Sequence, residues 1–235
     1  MNFDDVTAIQ IPEGNVKSIA IGGVTVWEAP VVDKYTWDAV FASIDKGTYA
    51  TEYAIGDMVP LDLGDEGLIN MQIAAFDADD LADGSGKAPI TWIAKELLES
   101  KSRMNNTNSS NGGWEQCLMR TYLKETIKPL IPENVRNKIA IVTKTQWFST
   151  ADWKHEDQTT EDDVWIPGYN EMKKVYTDLF PDANSRIKIS DGTKCTYHLR
   201  DSQQTYAFYT CSSSGSFNDS NAANYAYGIC LCFCT

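Results

Sequence analysis

From Cys195 to Thr235 the chain carries only three long aliphatic residues, Leu199, Ile229 and Leu231; Tyr, Ser, Asn, Asp, Thr, Ala, Gly, Cys and Phe make up most of the rest. A segment so poor in aliphatic side chains depends on a core built elsewhere, so the sequence divides into scaffold and display. Antigen-binding loops use this mixture because Tyr gives a large, rigid, amphipathic contact at low entropic cost while Ser, Gly and Asn add adaptable hydrogen bonds. The composition fits a recognition surface or a polar surface loop with no special role.

With 235 residues the chain can hold one main domain and a small appendage. Trp37, Val40, Phe41 and Ile44 recur at helical spacing behind Thr36, and Lys46-Gly47 stops the pattern. Residues 58–63 and 68–76 flank the turn-rich Gly64-Asp65-Glu66-Gly67, which predicts a hairpin. Further helices are predicted from Ile90, Ile93, Leu97 and Leu98, from Leu118, Tyr122 and Leu123 up to Pro129 and Pro132, and from Met172, Val175, Tyr176 and Leu179. Residues 139–142 suggest a short buried strand and the acidic stretch 152–163 an exposed loop, while 197–200, 206–211 and 226–233 are strand candidates. The fold class is α+β, with short helices and antiparallel strands.

At the amino terminus, residues 16–27 (VKSIAIGGVTVW) alternate about Gly22-Gly23, a pair suited to a tight turn, so a β-hairpin is expected. Pro12-Glu13-Gly14 reads as a turn and residues 29–33 as a linker. An isolated hairpin is marginally stable, so residues 1–33 read as an adaptor for docking or self-association ahead of a domain at 34–235. The alternative makes this hairpin the first two strands of the main domain.

A net charge of −13 repels phosphate backbones and anionic headgroups, which argues against nucleic acid or a membrane surface as partner. No apolar run approaches the about 18 residues of a membrane span, and no signal peptide is evident, so a soluble protein made in the cytoplasm is expected. The six cysteines, at 117, 195, 211, 230, 232 and 234, form no CxxC pair. Alternation puts Cys230, Cys232 and Cys234 on one face of a strand, where core filling is favoured over a disulfide or a metal site. The run Asp77-Ala78-Asp79-Asp80-Leu81-Ala82-Asp83 invites calcium, but in the EF-hand register Leu81 and Ala82 fall where a ligand and the turn glycine belong, so a solvated or capping loop is expected. His155 and His198 sit in no ligand-pair motif, and a surface or contact role suits them better. No nucleophile elbow, phosphate loop or dinucleotide fingerprint is present. No enzyme, metal or cofactor is therefore expected.

FDADDLADGSGKAPITW at 76–92, NGGWEQCLMRTYL at 111–123, IPENVRNKIAIVTKT at 131–145, DDVWIPGYNEM at 162–172, YHLRDS at 197–202 and YGICLCFCT at 227–235 together resemble a domain of uncharacterised function common in gut bacteria and their phages. The resemblance covers roughly residues 53–235. It departs at 197–201, where Tyr-His-Leu-Arg-Asp replaces the usual Trp-Leu-Arg-Ser, and at Cys230 and Cys232. It implies a C-type lectin-like fold and relatedness to the variable proteins of diversity-generating retroelements, in which copying errors at template adenines turn Asn codons toward Tyr, Ser, Asp, His, Thr, Phe, Cys, Ala and Gly. Residues 9–28 resemble short hairpin modules of phage tail proteins.

The function implied is that of a phage tail or tail-fibre receptor-binding protein located in the virion. Its expected partners are a host cell-surface receptor, protein or glycan, and, through the hairpin, other tail proteins or a second copy. A cysteine-dependent oxidase on a related fold and a purely structural tail protein are the alternatives. The sugar-binding calcium motifs of true C-type lectins are absent, since Asn218-Asp219 lacks the preceding Trp. Ligand contacts are expected at Tyr197, His198, Asp201, Ser202, Tyr206, Phe208 and Tyr209, and at Asn218, Asp219, Asn221, Asn224, Tyr225 and Tyr227. Strand alternation keeps them from sharing one face. His198, Tyr206 and Phe208 are expected to converge with residues 218–225 on an exposed patch, with Tyr227 packing inward.

Overall fold

Helix α1, Trp37–Lys46, forms where the apolar stripe predicts it. The Thr36 hydroxyl accepts a hydrogen bond from the Ala39 N–H at 3.3 Å, satisfying one unpaired amide of the first turn. Gly47 closes the helix at φ 70°, a left-handed conformation that glycine adopts without a Cβ penalty. Trp37, Val40 and Phe41 are buried, and the Trp37 ring lies 5.0 Å from that of Trp92 and 5.8 Å from that of Phe233.

The computed structural model describes residues 18–21, 24–28 and 33–235, and the chain divides into a unit Met1–Lys34 and a unit Tyr35–Thr235. In the first, β1 (Ser18–Ile21) and β2 (Val24–Glu28) pair antiparallel from Ser18↔Glu28 to Ile21↔Val24. This is the hairpin expected across 16–27. Its Gly22-Gly23 turn, the turn at 12–14 and linker residues 29–32 lie outside the described residues.

In the second unit α1 is followed by α2 (Tyr49–Glu52) and then by the predicted hairpin of β3 (Met58–Asp62) and β4 (Leu68–Phe76), in register from Met58↔Gln72 to Asp62↔Leu68. Val59 and Leu61 face inward and their neighbours outward, the alternation of a half-buried strand. The helix expected over 90–98 is instead β5 (Ile90–Ala94), followed by an irregular segment. It lies between β4 and β15 (Cys232–Cys234) in a four-stranded sheet of order β15-β5-β4-β3, and all five of its residues are buried. A strand covered on both faces has no polar side to alternate, so its apolar spacing imitated a helix. Five of the six cysteines are buried, and all six are free thiols.

A second correction concerns 152–163. In place of a loop, β7 (Val142–Ala151) and β8 (Lys154–Asp162) form a long antiparallel hairpin. The polar inward residues of β8 serve two short helices, α3 (Gly113–Gln116) and α4 (Leu118–Tyr122). Asp162 accepts from Trp114 Nε1 at 2.9 Å and from Arg120 Nε at 2.6 Å, and Gln158 accepts from the Glu115 N–H at 3.2 Å. The helix run continues in irregular turns to Leu130, as expected from Leu118 and Leu123, and α5 (Glu133–Arg136) follows. Only Ala140 of the 139–142 candidate bridges to another strand ahead of β7, at Cys234, and Ile141 is exposed.

The remaining strands are β6 (Lys101–Ser102), the hairpin β9 (Lys188–Ser190) with β10 (Thr193–Cys195), and β11 (Tyr197–His198), β12 (Ala207–Cys211), β13 (Phe217–Ala222) and β14 (Tyr227–Gly228). They build a five-stranded sheet of order β13-β12-β11-β14-β6 beside the β9–β10 pair. β13 was not anticipated, and the candidate at 226–233 resolves into β14 and β15, which belong to different sheets. The architecture is α+β. Among the described residues no helix is long and apolar enough to cross a membrane.

A buried chain of charges ties these parts together. The ammonium of Lys144 on β7 meets Asp79 and, at 2.5 Å, Glu171; Glu171 in turn meets the Arg200 guanidinium at 2.6 Å. The other carboxylates of the 77–83 run point elsewhere. Asp77 accepts from the Tyr49 hydroxyl, Asp80 pairs with Lys87 and Asp83 accepts from the Ser85 N–H. Burial alone would push the Glu171 carboxyl up, but Arg200 and Lys144 outweigh it and hold the group well below the ordinary value of 4.5. The unfolded chain therefore takes up this proton first on acidification. Its contribution to stability is complete above about pH 4.5 and is lost as pH falls toward the depressed folded value.

Two outcomes are expected. Stability measured by denaturant titration should fall below pH 4.5 with a component of at most about 1.4 kcal/mol per pH unit from this group, and Glu171→Gln should flatten that limb; an unchanged slope would remove Glu171 from the account. Leu123→Ala, fully buried, should cost about 2–5 kcal/mol. Tyr225→Ala, at a residue 57% exposed, should stay within about 0.5 kcal/mol, and equal losses would erase the division into scaffold and display.

Candidate ligand-binding face

Arg200 and Asp201 follow β11 and are fully buried. Arg200 donates from Nε to Gln146 Oε1 at 3.1 Å and from Nη1 to the Ile166 carbonyl at 3.0 Å, in addition to its pairing with Glu171. The Asp201 carboxylate accepts the Trp147 N–H at 3.0 Å and the Tyr169 N–H at 2.6 Å, and its main-chain carbonyl accepts the Tyr209 N–H at 2.8 Å. Ser202 adds a clamp on β7, accepting the Ser149 N–H at 3.0 Å and donating its own N–H to the Trp147 carbonyl. Burial pushes the Asp201 carboxyl up, opposed by Arg200 and by the two amide donors. Gly168 makes the approach possible, since a Cβ there would lie 2.9 Å from Asp201 Oδ2. Asp201 and Ser202, expected as contacts, are thus positioning residues beneath the surface.

The three residues held by Asp201 carry rings that meet. Trp147 stacks on His155 with centroids 4.1 Å apart and lies 5.6 Å from Tyr169, which stacks on Tyr209 at 4.4 Å and takes Phe217 edge-on at 4.9 Å. Tyr209, also expected as a ligand contact, is buried, and its hydroxyl donates to Gln203 Oε1. The other rings are half-buried. Lys173 donates to the Tyr169 hydroxyl at 2.8 Å, and the Arg186 guanidinium sits 4.6 Å from the Phe217 ring centre. The β7–β8 turn is fastened to the same region, because the Trp153 N–H donates to the Gln203 carbonyl at 3.0 Å and Asp152 accepts from the Thr205 hydroxyl at 2.9 Å. The Trp153 side chain is 62% exposed.

Tyr209 and Thr210 are neighbours on β12, so they point to opposite faces of the sheet. On the Thr210 side a second cluster forms. Asn221 donates to the Thr210 hydroxyl at 2.6 Å, and the Tyr227 hydroxyl donates to Asn221 Oδ1 at 3.1 Å. The His198 ring meets that of Tyr227 edge-on at 5.1 Å, and His198 Nε2 lies 3.0 Å from the Tyr225 carbonyl, which assigns the donated proton to that nitrogen. Burial lowers the His198 pKa to about 4, so the ring is neutral at physiological pH. Tyr225 closes the cluster on the solvent side, its ring 6.3 Å from that of Tyr227.

The expected contact residues therefore separate. Asn218 and Tyr225 are exposed; Tyr206, Asp219, Asn221, Asn224 and Tyr227 are half-buried. Tyr197, His198 and Phe208 are buried, correcting the expectation that His198 and Phe208 reach an exposed patch. The cause is topological. β11 and β12 lie inside the five-stranded sheet, and Tyr197 spends its hydroxyl on the Arg186 carbonyl at 2.8 Å. Trp147, Tyr169 and Phe217 were not singled out in the sequence, although alternation in TQWFST at 145–150 would have marked Trp147 once β7 was read as a strand. His155, for which a surface or contact role was expected, is half-buried and stacks on Trp147. Among the described residues no group of three or more His, Cys, Asp or Glu side chains is arranged to hold a metal ion.

Replacing Asp201 by Asn would turn an amide hydrogen toward one of the two N–H groups it now accepts. Asp201→Asn should cost about 1–3 kcal/mol in denaturant titrations and shift the amide resonances of Trp147 and Tyr169. A variant as stable as the parent with unmoved resonances would show that these rings are held by other means.

Residues 90–235, from β5 through both clusters, match the family model described as a domain of unknown function (DUF6273). No curated protein and no solved structure matches the chain. The match spans more than half of the sequence, and the chain belongs to the DUF6273 family.

Proposed function

We propose that the chain is a receptor-binding protein of a phage tail or tail fibre, carried in the virion. In this reading the unit Tyr35–Thr235 is a C-type lectin-like domain whose C-terminal face is a retroelement-diversified binding surface, and residues 1–33 dock it to other tail proteins or to a second copy. The observation that carries the reading is the separation of a buried frame from the side chains it displays. Arg200, Asp201 and Ser202 fix the backbone beneath, while Asn218, Ser220 and Tyr225 project from β13 and the turn after it. Exposed side chains on such a frame can be exchanged with little effect on folding. Asn, Asp, Ser and Tyr, the residues found at 218–221, 224 and 225, are among those reached from a mutable Asn codon.

A cysteine-dependent oxidase is the weaker reading. Burial pushes the Cys117 thiol up to about 12 and those of Cys232 and Cys234 well above their ordinary value; for Cys230 burial is outweighed by Cys232 and Lys188, which lower it, but this thiol is as fully enclosed in the core as the others. Thiols of that kind are poor nucleophiles.

The genetic test is the neighbouring DNA, where a reverse-transcriptase gene and a near-copy of the 3′ coding end differing at adenines are expected. The binding test replaces Asn218, Ser220 and Tyr225 together with Ala. Adsorption to host cells should fall by about tenfold or more, as loss of an aromatic anchor does, with the melting temperature unchanged. Full adsorption by the folded triple variant would refute the receptor-binding face.

A further inference from the structure

Beside the Tyr227 end of the second cluster lies a surface groove of about 400 Å³ with Lys101 and Lys194 on its walls. Lys101 comes from β6, whose pairing with β14 sets it opposite Gly228; Lys194 comes from β10. Thr193, Thr196 and Ser213 also line it, and among the described residues no carboxylate does. That absence is informative in a chain with 33 acidic residues and a net charge of −13. The nearest acidic side chains in sequence, Asp191 and Glu99, line another groove with Glu66 and Glu96.

Two ammonium groups supply point charges with several donors each, and the hydroxyls add neutral donors and acceptors, a set suited to an oxyanion on a polyhydroxylated carrier. The volume falls within the about 300–1,000 Å³ typical of small-molecule sites and exceeds what a lone phosphate fills. The net negative charge of the chain disfavours an anionic ligand over most of the surface, and the attraction of the two lysines is one that salt screens. Resting on the receptor-binding reading above, we propose that this groove takes a phosphate group carried on a sugar or similar polyol, and that the receptor is of that chemical class.

Cys195 gives the groove its own reporter. It lines the wall and is half-buried, whereas the other five cysteines are buried, so a thiol reagent acting on the folded chain reads the occupancy of this site. The experiment measures the alkylation rate at Cys195 by peptide mass spectrometry on the full chain. Glucose 6-phosphate should protect Cys195, inorganic phosphate should protect it more weakly, and glucose should not protect it. Added salt should weaken the protection. The double variant Lys101→Glu/Lys194→Glu, at exposed positions, should keep its melting temperature and lose at least about tenfold in the apparent affinity for glucose 6-phosphate.

Equal protection by glucose, protection retained in the double variant, or no protection by glucose 6-phosphate at any concentration that leaves the chain folded would overturn the proposal. Host adsorption separates this from the broader reading. If the lysine variant adsorbs normally while the Asn218/Ser220/Tyr225 variant does not, the groove fails and the binding face stands; if both adsorb normally, the receptor-binding reading itself fails.

Discussion

The alternating ion pairs Asp79–Lys144–Glu171–Arg200 join four segments that are far apart in sequence. Two cations and two carboxylates balance, so the chain of charges can be buried without a net charge, and Lys144 also rests 4.4 Å from the centre of the Trp165 ring. Buried pairs of this sort seldom add much net stability over apolar side chains of the same volume, yet removing one member leaves the others stranded at a cost of about 3–5 kcal/mol. Their value here is positional. They fix β7 against the start of the helical segment Glu171–Val175 and against residue 200, and the next residue, Asp201, then collects the amides of Trp147, Tyr169 and Tyr209. The aromatic row exists because these three backbones have been brought to one carboxylate-bearing residue.

Where structure followed from neighbours in sequence, it could be read directly. Thr36, the Trp37–Val40–Phe41 stripe and Gly47 specify α1 within a dozen residues, and the Gly64–Gly67 turn specifies the β3–β4 hairpin. β5 and β8 were misread for opposite reasons. The first is buried on both faces and shows no polar alternation; the second turns Gln158, Thr160 and Asp162 inward because they answer Gly112, Trp114 and Arg120, so it shows no apolar alternation. The residues expected as contacts divide along the same line. The exposure of Asn218 and Tyr225 could be anticipated from composition, whereas the role of Asp201 could not, since its partners lie 32 and 54 positions away.

The five-stranded sheet separates two kinds of surface. On the Tyr209 side the rings pack on one another; on the Thr210 side amide and hydroxyl groups of Thr210, Asn221 and Tyr227 form a relay, and the Tyr227 ring meets that of Tyr225. β13, the outer strand, is a position at which unpaired backbone can recruit foreign strands. The Asn218 side chain turns back to accept the Ser220 N–H at 2.9 Å and the Ser220 hydroxyl at 2.8 Å. An amide so occupied is withdrawn from intermolecular pairing, and the local side-chain turn disturbs the flat edge that such pairing needs.

β15 lies beyond the polar stretch 212–227 in sequence and yet is inserted at the heart of the fold, paired with β5 on one side and bridged to Ala140 and Trp165 on the other. A polypeptide interrupted anywhere between 212 and 227 by a frameshift or a stop codon would lack the strand that closes the hydrophobic sheet. Its exposed apolar edge would mark it for proteolysis. Placing a structural strand after residues 212–227 thus makes an intact reading frame through that stretch a condition of folding.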